Sequence, residues 1–182
     1  ITVYDTIVSN AGSDQDICNI DSAVLSGNIP PLGVTGAWTQ INGPSTVTFS
    51  SSSIFNPIAQ GFLNEGNYEL VWTLDNGVCI ASSDTIMVTK YKQPSVDAGP
   101  DQDLCNQYTS TMAANTPLVG AVGVWTQISG AASTIMDTSD PLTTINSSIE
   151  GSFQFVWSIT NGSCAPSRDT VTVNIYDPPS SN

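Results

Sequence analysis

The chain has 182 residues, 40% of them hydrophobic, and sets 16 acidic side chains against 3 basic ones for a net charge of −13. So acidic a surface repels phosphate backbones and anionic lipid heads, which argues against nucleic acid as a partner and against direct membrane insertion. Histidine is absent, and with it go Ser-His-Asp and Cys-His nucleophilic systems and imidazole metal ligands, so no enzymatic activity is expected.

In chain order, Ile1–Val8 reads either as a first strand or as the tail of a preceding repeat, because Ile1-Thr-Val-Tyr4 matches Val88-Thr-Lys-Tyr91. Val24-Leu25 with its flanks forms the next expected strand. Ala37–Ile41 follows, bounded by Gly36 and Asn42-Gly-Pro44, and then Thr46–Phe49. Ile54–Ala59 is expected as a short edge strand or turn, since Asn56-Pro57 interrupts it. Tyr68–Leu74 is the best alternating segment. Asp75-Asn76-Gly77 after it predicts a type I′ hairpin turn into a last strand, Asp84–Thr89. Helical periodicity is nearly absent. Seven or so strands at a spacing of about ten residues predict an all-β Greek-key β-sandwich.

The plan then repeats. Asn10-Ala-Gly-Ser-Asp-Gln-Asp-Ile-Cys18 returns as Asp97-Ala-Gly-Pro-Asp-Gln-Asp-Leu-Cys105, 87 positions later, and Trp38-Thr-Gln-Ile41 returns as Trp125-Thr-Gln-Ile128 at the same offset. Glu65–Trp72 and Asn76-Gly-Val-Cys79 return as Glu150–Trp157 and Asn161-Gly-Ser-Cys164 at offset 85, so one two-residue deletion separates the copies. A period of this length suits one small β-domain, which predicts tandem domains over 1–92 and 93–182. Residues 1–9 belong either to a preceding repeat or to the first strand. Gln93-Pro-Ser-Val96 is a proline-stiffened join, giving beads in line. Val173-Asn-Ile-Tyr176-Asp-Pro-Pro179 aligns with the end of the first copy, as though both ends were cuts inside a longer array.

Four cysteines fall as one pair per repeat, Cys18 with Cys79 and Cys105 with Cys164, separated by 61 and 59 residues. With no CxxC or Cys/His cluster, zinc lacks its ligand spacing. Intra-repeat disulfides are the economical reading, and closing such a loop contributes on the order of 4 kcal/mol in the chain-entropy model. They imply an oxidising compartment, the cell surface or exterior. The competing reading is buried free thiols in a reducing cytosol. Trp38, Trp72, Trp125 and Trp157 lie mid-strand and are expected in the cores rather than on a sugar-stacking face.

Calcium is the cofactor the acids raise. Asp14 and Asp16, and again Asp101 and Asp103, stand at i and i+2 on one side of an extended segment. Asp84 and Asp169 recur before the last strands, and Asp97 stands at the junction. Hard oxygen ligands suit calcium. The competing reading of Asp-Gln-Asp is a solvated, edge-protecting turn.

The segments Asn10–Gln15 and Asp97–Gln102, the two Trp-Thr-Gln-Ile motifs, and Asn-Gly-x-Cys followed by Asp84-Thr or Asp169-Thr resemble the PKD-like and Ig-like tandem repeats of Bacteroidota cell-surface adhesins, flavobacterial gliding-motility adhesins among them. The resemblance covers essentially the whole chain. It implies a filament of β-sandwich beads, exported by the type IX route and moved along the cell, with no catalytic site. Trp38-Thr-Gln-Ile-Asn-Gly43 departs from the Trp-Asp-Phe-Gly-Asp-Gly signature of standard PKD domains.

Two functions follow from these readings. In one, the segment is a rigid extended stalk for surface attachment and gliding motility, and its partners are the neighbouring repeats. In the other, the repeats themselves bind extracellular polysaccharide or a solid surface through a groove near Tyr108, Tyr91 or the Gly33–Gly36 loop.

Overall fold

The computed structural model describes residues 6–178. The chain divides into two compact units, Ile1–Lys92 and Gln93–Asn182. Most of the Ile1–Val8 segment, for which a first strand or a preceding tail was expected, lies outside the described residues; residues 6–8 are in no strand. Among the described residues there is no helix.

The first unit has seven strands: β1 (Gln15–Cys18), β2 (Ser22–Val24), β3 (Thr35–Asn42), β4 (Thr48–Phe49), β5 (Ile58–Gln60), β6 (Gly66–Asp75) and β7 (Ser82–Tyr91). They form two sheets, ordered β1-β7-β6-β3 and β2-β5-β4. Strand β3 lies beside β6 although β4 and β5 intervene in sequence, because those two belong to the other sheet. This is a Greek-key crossover, and the architecture is the expected sandwich. The period-2 pattern of β6 sends Tyr68, Leu70, Trp72 and Leu74 inward, where Ile86 and Val88 of β7 meet them.

The second unit repeats the plan with β8 (Gln102–Cys105), β9 (Thr109–Thr111), β10 (Val122–Ser129), β11 (Thr134–Ile135), β12 (Thr144–Asn146), β13 (Gly151–Thr160) and β14 (Ser167–Tyr176). Its sheets run β10-β13-β14-β8 and β11-β12-β9. Phe153, Phe155, Trp157 and Ile159 fill the core positions that β6 fills in the first unit.

Three local expectations need correction. The Asp14-Gln15-Asp16 segment is no turn: Gln15 and Asp16 open β1, which pairs in parallel with β7 from Gln15 opposite Val88 to Cys18 opposite Tyr91. Of the two readings of Ile54–Ala59, the turn holds over Ile54–Asn56 and the edge strand does not, since β5 follows Pro57 and sits at the centre of its sheet, between β2 and β4. Nor is the β6–β7 connection a two-residue type I′ turn. The strands end at Asp75 and resume at Ser82, and of Asn76 and Gly77 only Gly77 takes a positive φ, 71°. Asn76 stays on the ordinary side of φ and its Oδ1 accepts the N–H groups of Val78 and Cys79 at 3.1 and 2.8 Å.

The Trp-Thr-Gln-Ile motif is a complete local instruction. Trp38 stands directly opposite Trp72, and Trp125 opposite Trp157. Ring centroids are 5.2 and 5.1 Å apart, and all four indoles are buried. Burying about 200 Å² of indole contributes roughly 5 kcal/mol at about 25 cal/mol per Å². Gln40 then clamps the β3–β4 loop: its Nε2 donates to the Ser45 carbonyl at 2.8 Å and its Oε1 accepts from Val47 N–H at 2.7 Å. Gln127 does the same with Ala131 and Ser133. Ile41 and Ile128 fall at β-bulges and point outward. The glycine two residues before each motif's tryptophan makes room for the opposite ring. A Cβ on Gly36 would meet Trp72 at 2.2 Å, and one on Gly123 would meet Trp157 at 2.3 Å.

Candidate functional site

Seven acids were the candidate calcium ligands, and hydrogen bonds to their own scaffold account for most of them. Asp84 Oδ2 accepts from the Ala11 N–H at 2.7 Å, and Asp169 Oδ2 from Ala98 N–H at 2.8 Å, tying the leading segment of each unit to its last strand. Asp14 Oδ1 accepts from Met87 N–H at 2.8 Å and Asp101 Oδ1 from Thr172 N–H at 2.7 Å. Asp97 Oδ1 closes a turn on Gly99 N–H at 2.8 Å, as Asn10 does on Gly12. The amide and the acid do the same work there. Asp103 Oδ1 accepts from Asn174 Nδ2 at 2.9 Å, and Asp16 is an exposed residue of β1 opposite Thr89. Among the described residues no group of three or more acidic, cysteine or histidine side chains is gathered at metal-binding range.

The leading segments carry a second duplicated lock that the sequence reading missed. Asn28 Oδ1 accepts from Asn10 N–H at 2.9 Å while its Nδ2 donates to the Val8 carbonyl at 2.9 Å. Asn115 makes the same two contacts with Asp97 and Ser95, at 2.8 and 3.0 Å. Trp72 and Trp157 donate their indole N–H to the carbonyls of Asn28 and Asn115. The available signal was Asn28 and Asn115 at the common offset of 87.

The intra-repeat disulfides are overturned. Cys18 ends β1 opposite Tyr91, the last residue of β7, whereas Cys79 lies in the connection before Ser82, the first residue of β7. An extended strand from Ser82 to Tyr91 runs about 30 Å at roughly 3.3 Å per residue, and a disulfide needs Cα atoms within about 7 Å. Cys105 opposite Tyr176, and Cys164 before Ser167, are separated in the same way by β14. Cys18 and Cys164 are disulfide-bonded, while Cys79 and Cys105 are free and exposed.

The aromatic and loop positions named for a binding groove are scattered. Tyr91 pairs with Cys18 at the end of β7. Tyr108 packs partly on the core of the second unit and donates its hydroxyl to Asp177, and that hydrogen bond, with burial second, raises the phenol above its ordinary pKa. The Gly33–Gly36 loop leads into β3 at the hairpin end of the first unit, where Thr35 lies opposite Asp75. An open recess of about 420 Å³ is lined by Gln40–Thr46, without an aromatic side chain.

Lys90 is a buried charge that no motif announced. It points inward from β7 after Ile86 and Val88, is 8% exposed, and donates to the Asp21 carboxylate and the Phe62 carbonyl. Its alternation with those two residues was the available signal.

No protein-family model matches the chain, and no curated protein does. Solved structures match it in fold. "Sidekick-1 immunoglobulin domains 1-5" aligns with TM-score 0.64 at 9% identity, over 95% of this chain and 40% of that one. "Sidekick-1 immunoglobulin domains 1-4, crystal form 1" aligns at 0.63 and 10%, over 94% and 50%. Murine CEACAM1b aligns at 0.55 and 13%, over 88% and 96%. The chain spans half or less of the Sidekick-1 chains. At these identities the likeness is one of architecture: each unit is an immunoglobulin-like β-sandwich.

Proposed function

We propose that this chain is a repeat segment of the stalk of a bacterial cell-surface adhesin that serves attachment and gliding motility. In this reading its sandwiches act as spacers outside the cell. One observation carries the reading: the side chains the two repeats share are occupied with their own scaffolds. The tryptophan pairs, the glutamine clamps, the Asn28 and Asn115 locks and the Asp84 and Asp169 ties all bind inward or to local backbone. A module that binds ligand through each repeat duplicates its contact surface as well. Disulfide-bonded Cys18 and Cys164 fit an oxidising exterior.

The test replaces the segment, in the cells that make it, with an unrelated two-sandwich segment of equal length. Attachment and gliding are expected to persist. Their loss, together with saturable binding of the purified fragment to polysaccharide, would establish the repeats as the binding module instead.

A further inference from the structure

Asn-Gly pairs occur three times in the chain, at Asn42-Gly43, Asn76-Gly77 and Asn161-Gly162. A glycine after asparagine leaves its backbone nitrogen uncovered, because no Cβ shields it. That nitrogen can close on the asparagine side-chain carbon and displace ammonia, the reaction that makes asparagine thermolabile. The fold holds the three pairs in different ways.

At Asn42 the reacting groups are already together. Gly43 N–H donates to Asn42 Oδ1 at 2.9 Å, so the attacking nitrogen lies against the oxygen bonded to Cγ, the carbon it must reach. Both residues are exposed and line the open recess of about 420 Å³, where water has free access. At Asn76 the groups are turned apart. Asn76 Oδ1 is occupied by the N–H groups of Val78 and Cys79, and Gly77 N–H is bound to the Asp75 carboxylate at 2.7 Å. An anionic acceptor opposes loss of that proton, which the attack requires. Asn161 is only 7% exposed and is shielded from the water that completes the reaction.

The second repeat shows which half of the pair the fold needs. Gly43 has a φ of 150°, and a Cβ there would meet Gln40 Nε2 and Tyr68 Cδ1 at 2.6 Å. Its equivalent Gly130 has a φ of 94°, and a Cβ there would lie 2.7 Å from the Ser152 carbonyl oxygen. The preceding residue is under no such demand, since Ser129 stands where the first repeat has Asn42.

We propose that Asn42 is a self-modification site, converting to isoaspartate and aspartate with water as the sole co-reactant and so loosening the Gln40 clamp in the first unit alone. A base in solution removes the Gly43 amide proton, and the nitrogen attacks Asn42 Cγ. The Gly43 N–Cγ bond forms, the Cγ–Nδ2 bond breaks, and ammonia leaves with a proton from water. The product is a succinimide, which water then opens. Cleaving the N–Cγ bond leaves aspartate. Cleaving the bond from Gly43 N to the Asn42 main-chain carbonyl carbon leaves isoaspartate, whose backbone runs through Cβ and Cγ. An amide and a water become a carboxylate and an ammonium ion, with no change of oxidation state. Gln40 Nε2 spans the Asn42 and Ser45 carbonyls at 3.2 and 2.8 Å, so the inserted methylene falls inside its grip. The new carboxylate also stands opposite Glu69 in the sheet, and like charges directly across strands are destabilising. The inference is independent of the stalk reading, since it concerns bond chemistry within one loop.

The experiment ages the purified fragment in mildly alkaline buffer at physiological temperature. Peptide mapping follows each Asn-Gly pair, and isoaspartyl methyltransferase labelling measures isoaspartate. Asn42 is expected to convert several-fold faster than Asn76 or Asn161, and the aged protein to melt at a lower temperature than the fresh. In concentrated urea the three rates should converge, because the fold that separates them is gone. Asn42→Ser, which installs the residue of the second repeat, should fold and keep its melting temperature through the same ageing. An intact Asn42, rates equal or reversed in the folded protein, or the same ranking in urea would overturn the assignment. A melting temperature unchanged after full conversion of Asn42 would overturn the loosening of the clamp.

Discussion

The carboxylate of Asp84 holds the backbone N–H of Ala11 at 2.7 Å, joining the leading segment of the first unit to its last strand. Asp169 and Ala98 repeat the contact in the second unit. Ala11 and Ala98 are buried, so the amide has no access to bulk water once this acceptor is gone. Asp84→Ala is expected to destabilise the first unit by about 1.5–3 kcal/mol, the range for a hydrogen bond to a charged group. Asp84→Asn, which keeps an acceptor, should cost less. Urea unfolding of the two variants checks the order, and equal losses would show that the tie is a matter of shape and not of the acceptor.

The same geometry bears on the calcium reading. The acids spaced at i and i+2 diverge in use, one accepting a backbone N–H of the last strand and the next standing in or beside the edge strand. A ligand that bound the folded state alone would raise its stability with concentration. Thermal unfolding in millimolar calcium and in chelator is therefore expected to coincide. A calcium-dependent rise of several degrees would mean that the acids converge on the ion after all.

The sandwich was legible wherever local pattern and burial agree. The alternation of Tyr68, Leu70, Trp72 and Leu74 announced β6, and the mid-strand tryptophans announced the cores. Strand β1 was hidden because Asp14 and Asp16 read as turn chemistry, whereas its partner is the last strand of the unit, and no local window contains such a parallel pairing. The cysteine pairing failed for a related reason. Repeat symmetry showed that each unit owns two cysteines but not that β7 and β14 hold them at opposite ends. Asn28 and Asn115 were passed over because an isolated asparagine between short strands looks like an ordinary loop residue. Its meaning lies in two backbone groups 18 and 20 positions away.

Lys90 offers a test that the second repeat has already performed in part. The residue 85 positions later, Ile175, faces the core of its own unit at 2% exposure. Asp21 is 62% exposed on its side chain, so removing the lysine leaves no buried carboxylate. Exchanging a buried charge for a well-packed apolar side chain is often neutral or stabilising by about 1–4 kcal/mol, and losing a donor to the Phe62 carbonyl opposes this by about 1–3 kcal/mol. Lys90→Ile is expected to lie near zero, within about 1 kcal/mol by that balance. Lys90→Ala, which adds a cavity, should be clearly destabilising. Paired denaturant curves separate the two. A large loss for the isoleucine variant would show that the ion pair specifies the first unit.

Tyr108 and Asp177 give the pH prediction. The tyrosine hydroxyl donates to the carboxylate, and this hydrogen bond, with burial and the negative charge behind it, raises the phenol above its ordinary pKa of about 10. A group whose folded pKa is raised contributes stability that is fully present below its unfolded pKa and is lost as pH rises through the folded value. The contact should therefore contribute undiminished at neutral pH and fade only in strong alkali. Ultraviolet titration of the phenolate band should show the Tyr108 component, identified by its loss in Tyr108→Phe, ionising above the ordinary range. Asp177→Ala should return it downward, because both the acceptor and the charge that oppose ionisation are then gone. An unmoved midpoint in Asp177→Ala would mean that burial, not the carboxylate, holds the phenol protonated.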